Sequence, residues 1–111
     1  MNKLDWADSI GAAVTVCDAN GKILYLNQQS ATVFEKYGDI ELVGKSLFDC
    51  HAPESVKKIN ELLQSGRSNH YTIQKNGCKK MVYQTPFFDN GKIAGLVEIS
   101  FVIPDLMRII S

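Results

Sequence analysis

A chain of 111 residues with 45% apolar and 22% charged side chains has room for one globular domain that hides roughly two thirds of its unfolded surface, and none for a second. Twelve basic residues balance twelve acidic ones, so no net field draws the chain to phosphate backbones or anionic lipid, and nucleic acid and membrane are not expected partners. No apolar run reaches the roughly 18 to 20 residues of a bilayer-crossing helix, and the opening Met1-Asn2-Lys3-Leu4-Asp5-Trp6 lacks the core of a secretion signal; a soluble, cytoplasmic protein is expected.

In chain order, Leu4, Trp6, Ala7 and Ile10 suit a short amphipathic cap over residues 1–10 that lies against a sheet. Punctuation follows in three Asn-Gly pairs, Asn20-Gly21, Asn76-Gly77 and Asn90-Gly91. Asn-Gly is the favoured filling of a tight hairpin because both central residues take positive φ there at least cost. The first pair is predicted to join a strand over 13–17 to one over 22–26, with Asp18 capping the turn. The second joins 70–74 to 80–85, and the third joins Phe87-Phe88 to a long strand over 93–103.

The stretch between the first two hairpins reads as helical. Residues 27–34 hold good helix formers, and Ile40, Leu42 and Val43, closed by Gly44, suggest a further short turn. Residues 53–66 carry every boundary signal of a longer helix: Pro53 and Glu54 in the first turn, apolar residues at 56, 59, 62 and 63, and a terminal Gly66. Lys57, Lys58 and Glu61 fall off the apolar stripe and read as a solvated face. At the far end Pro104 stops the last strand, and residues 105–110 look like the start of a linker helix.

This α+β order, two strands, short helices, one longer helix, then three strands, resembles the PAS domain family. The resemblance is carried by Tyr25-Leu26-Asn27 with Ala31, by Leu42-Val43-Gly44-Lys45-Ser46-Leu47, and by Asn90-Gly91-Lys92-Ile93-Ala94-Gly95-Leu96-Val97-Glu98-Ile99. It covers a core of about residues 8–103. The family implies a five-stranded antiparallel sheet that, with its helices, encloses a ligand pocket. It also implies a sensory module that dimerises and relays a signal to an output domain.

Chemistry of turnover is not expected. Cys17, Cys50 and Cys78 form no Cys-x-x-Cys pair, and each reads as a small reduced apolar residue. The two histidines, His51 and His70, offer no nucleophilic triad, and no phosphate loop or dinucleotide fingerprint occurs. Family members that form flavin adducts carry a cysteine three positions after the glycine of the Gly-Lys segment; Leu47 stands there, and Cys50 comes three residues later. Non-covalent flavin stays compatible with an apolar pocket, and His51, just before the longer helix, is the candidate ligand if haem is bound. No cofactor is required.

The two-residue period of the last strand divides it into an apolar face (Ile93, Gly95, Val97, Ile99, Phe101, Ile103) and a mixed face (Ala94, Leu96, Glu98, Ser100, Val102). By the resemblance, the mixed face looks into the pocket and the apolar face looks outward, to the N-terminal segment or a partner. The candidate ligand-binding residues are Asn27, Phe34, His51, Tyr83, Glu98 and Ser100, with Gln84 as the alternative to Tyr83. The expected partners are a small molecule and a second copy of the chain.

Overall fold

The computed structural model describes residues 5–33 and 42–111, the side chains of Val33 and Cys50 excepted. Leu4, Phe34 and Ile40, named above as a cap residue, a pocket residue and a turn residue, lie outside this set. Five strands, β1 (Ala13–Asp18), β2 (Ile23–Leu26), β3 (Asn69–Lys75), β4 (Cys78–Asp89) and β5 (Lys92–Val102), form one sheet in the order β2-β1-β5-β4-β3. Every neighbouring pair is antiparallel. Among the described residues four helical pieces accompany it: α1 (Asp5–Asp8), α2 (Gln28–Val33), a 3₁₀ turn (Leu47–Cys50) and α3 (Pro53–Ser65).

Two of the Asn-Gly turns have the expected geometry. Asn76 and Gly77 sit at φ 53° and 74°, and Asn90 and Gly91 at 52° and 78°, the mirror-image turn that suits the twist of paired strands. The first pair departs from it, because only Gly21 has positive φ. Here the Gly21 amide donates to the Asp18 carbonyl at 3.0 Å, and the Asp18 carboxylate accepts from the amides of Asn20 and Lys22, each at 2.9 Å. An Asx-capped turn that ends on a left-handed glycine therefore replaces the two-residue turn, and β2 starts only at Ile23. Its outer edge is covered by the Gly44–Leu47 segment. The Ile23 amide donates to Lys45 O, and the Gly44 and Leu47 amides donate to Ile23 O and Gly21 O.

α3 forms as its boundary signals require. Pro53 occupies the first turn, and Gly66 ends the helix at φ 77° with its amide donating to Leu62 O. Its buried face, Ile59, Leu62 and Leu63, packs with Cys17, Ile23, Leu26, Leu42, Leu47 and Leu96 into one core on the helical side of the sheet. Each such aliphatic side chain contributes about 1.5–3 kcal/mol. Burial also pushes the Cys17 thiol up to about 11, which keeps it in the unreactive thiol form at neutral pH.

The predicted face split of β5 holds from Gly95 onward and fails at Ile93. A bulge between Phe87 and Phe88 shifts the β4–β5 register, with Phe88 opposite Ile93 but Phe87 opposite Gly95. The extra residue in β5 swings Ile93 to the helical side, where it packs against the core. Within the segment expected as an N-terminal cap, α1 forms over Asp5–Asp8: Ala7 is buried, Trp6 is exposed, and the Tyr25 hydroxyl donates to the Asp8 carboxylate. Residues 104–111 take no regular secondary structure, contrary to the helix expected there, and Leu106 and Ile109 are more than nine-tenths exposed. No helix among the described residues is long and apolar enough to cross a membrane.

Candidate functional site

The core fills the helical side of the sheet under β1, β2 and β5, with Phe48 and Ile93 packed against it. A cleft of about 360 Å³ is left where the first half of α3 passes over β3 and β4. Glu54, Ser55 and Lys58 line it from the helix, and Asn69, Tyr71 and Gln84 from the strands. Asn69 and Tyr71 are two residues apart on β3 and so share a face. Gln84 stands directly opposite Asn69 in the β3–β4 register.

Polar groups cross the strands in a row. Asn69 Nδ2 donates to Gln84 Oε1 at 2.9 Å, and Gln84 Nε2 donates to Glu98 Oε1 at 2.9 Å. Asn69, Gln84, Glu98 and Thr15 are successive register partners on β3, β4, β5 and β1, so their side chains stand within reach of their neighbours. Gln84 is only 4% exposed; without these bonds its amide would be costly to bury. Burial, and then the charge of Glu98, raise the Tyr71 phenol above its ordinary range. At the cleft mouth, Lys58 pairs with Glu61 at 3.6 Å, and Glu61 also receives Arg67 at 2.6 Å.

Of the six residues named from the sequence, the five that are described do not form one site. Glu98 faces the helical side, as expected, and is half-buried with its carboxylate bonded to Gln84. Ser100 follows on the same face but lines a separate crevice of about 50 Å³ beside Gln29 and Ala13. Tyr83 is on the opposite face, where its ring lies 4.7 Å from that of its strand partner His70. An unbroken register counted from Asn90-Gly91 would set Tyr83 against Glu98; the bulge moves the pairing by one residue and puts Gln84 there. His51 Nδ1 donates to Leu47 O at 2.9 Å, and His51 is not among the described residues that line the cleft.

Asn27 is a structural hub rather than a ligand contact. It is 1% exposed; its Oδ1 accepts from the amides of Val14 and Ser30, and its Nδ2 donates to the carbonyls of Ala7 and Ala12. It thereby caps α2, ties α1 to the sheet and uses all of its ordinary hydrogen-bonding capacity. Ser30, one turn on, bonds the Thr15 hydroxyl. Sequence reasoning missed Asn69, Tyr71, Glu54 and Ser55 as lining residues. The second Asn-Gly turn does pair Asn69 with Gln84, but nothing local in the chain says that α3 leaves that end of the sheet uncovered.

The sequence matches the family model described as PAS domain over residues 11–102, and the chain belongs to the PAS domain family. No curated protein matches the sequence. Among solved structures, the C-terminal domain of a Streptococcus mutans protein superposes with a TM-score of 0.69 at 24% identity, covering 86% of this chain and 78% of that one. A sensory box sensor histidine kinase from Vibrio cholerae superposes with a TM-score of 0.67 at 15% identity, covering 90% and 88%. Vibrio cholerae VqmA, solved as a complex with ligand and DNA, superposes with a TM-score of 0.72 at 16% identity, covering 96% of this chain and 52% of VqmA. The chain thus spans about half the length of VqmA, and shares with these proteins the PAS sensory-domain fold.

Proposed function

We propose that this PAS domain is a sensory binding module that takes a small polar molecule in the cleft between α3 and strands β3 and β4, catalyses no reaction on it, and passes its occupancy to a partner. The observation that carries the reading is the buried Gln84 amide, held between Asn69 and Glu98 at the wall of a cleft of about 360 Å³. Pockets of a few hundred Å³ with a few placed polar groups are the usual form of small-molecule sites. VqmA, similar in fold, is described as bound to DPO, which supports a ligand-binding role for this architecture.

Mass spectrometry of the native protein, then of the small molecules freed on denaturation, tests the reading. A bound molecule in the wild-type protein and a several-fold loss of it in Gln84→Leu are expected. Equal retention by the variant would remove the cleft from the proposal.

The module also acts as a homodimer in this reading. On the outward face of β5, Val97 and Ile99 are half-buried and Phe101 is 43% exposed, an apolar surface that suits a second copy. Sedimentation at high micromolar concentration is expected to give a dimer; a strict monomer there would refute that part alone.

A further inference from the structure

The row Asn69–Gln84–Glu98 has a direction, and the direction comes from one end. An ionised carboxylate only accepts hydrogen bonds, so Gln84 must turn its NH₂ toward Glu98. A planar amide then turns its carbonyl the other way, to Asn69, and Asn69 must answer with its own NH₂. Its Oδ1 is left pointing away from Gln84, and among the described residues none donates to it. The wall of the cleft therefore presents an acceptor chosen by a residue that does not line it. Charge agrees with this polarity. Glu54 at the mouth makes no ion pair among the described residues, whereas Lys58 is engaged by Glu61. Tyr71, whose phenol is raised first by burial and then by the charge of Glu98, lines the same cleft.

We infer that the cleft selects a ligand with a cationic hydrogen-bond donor, an ammonium head on a small apolar or aromatic body, and that Glu98 is the positioning residue that sets this preference through Gln84 and Asn69. The inference rests on the cleft being the binding site. Tyr71, 39% exposed, offers an aromatic wall for such a body, and an ammonium near its ring gains further.

A matched pair of probes separates the two claims. Phenethylamine and 3-phenylpropionate share the ring and short chain but carry opposite head groups, and each is titrated into ¹⁵N-labelled protein while the side-chain amides of Asn69 and Gln84 are followed. Saturable shifts of both amides by the amine, at roughly tenfold higher affinity than by the carboxylate, the size of one charge-assisted hydrogen bond, are expected. Equal or tighter binding of 3-phenylpropionate at the same amides would overturn the selectivity and leave the cleft standing. Silence from both probes would overturn selectivity and cleft together. In Glu98→Gln the row is free to reverse, and the amine preference is expected to vanish; its persistence in a folded variant would overturn the role of Glu98. Should that variant not fold, the ratio measured on wild-type protein decides the preference.

Discussion

Replacing Asn27 with alanine is expected to cost about 4 kcal/mol and to lower the melting temperature by on the order of 15 °C, as read by thermal unfolding. The size follows from what the side chain joins. Two amides, of Val14 and Ser30, and two carbonyls, of Ala7 and Ala12, lose their partner at once, and a buried group left unpaired costs roughly 1–3 kcal/mol. Removing a helix cap alone costs about 1 kcal/mol. Asn27→Asp distinguishes the two halves of the hub. It keeps both accepted bonds but turns a carboxylate toward two carbonyl oxygens, so hydrogen exchange should quicken in α1 while α2 stays protected. A loss below about 1 kcal/mol for Asn27→Ala would show that the hub contributes no more than its cap.

Gly95→Ala should be comparably damaging for a different reason. A β-carbon at Gly95 would lie 2.0 Å from the Cys17 carbonyl oxygen and 2.7 Å from the Phe87 ring. The first is backbone in the register that joins β1 to β5, with Cys17 opposite Leu96 and Asp18 opposite Gly95, so the two strands must part. We expect a loss of about 3 kcal/mol or more in denaturant titration. Gly77→Ala is the control for backbone strain alone: its φ of 74° is unsuited to alanine, yet its β-carbon would meet nothing within 4 Å, so only a strain of about 1 kcal/mol applies. A Gly95→Ala loss no greater than that of Gly77→Ala would disprove the close approach.

The parts of the fold written in local signals were legible. Asn76-Gly77 and Asn90-Gly91 have the positive φ that hairpins of this kind demand, and Pro53 and Gly66 bound α3 because their ring and missing side chain suit those ends and no others. The candidate site was less legible, because it depends on which residues meet across strands. A one-residue bulge between Phe87 and Phe88 exchanged Tyr83 for Gln84 as the partner of Glu98 and carried Ile93 to the other side of the sheet. Neither bulge nor face exchange leaves a mark on a two-residue period read along one strand. Asn27 was named from the sequence as a ligand-binding residue, whereas its amide serves four backbone groups; a turn-following asparagine reads alike in either case. At residues 104–111, the apolar pattern of Leu106, Met107, Ile109 and Ile110 suggested a helix, yet these side chains have no face of the domain to cover and stay in solvent.

The order β2-β1-β5-β4-β3 places the last strand in the chain at the middle of the sheet. During synthesis the β3–β4 hairpin can zip as soon as it emerges, since a tight turn brings its strands together within microseconds. β1 has no such local partner beyond the short β2, and its long ladder, Ala13 to Asp18 against Ser100 to Gly95, must wait until nearly the whole domain has left the ribosome. Assembly of the two halves is thus one late closure of a long loop, an entropic toll that sets the pace of folding.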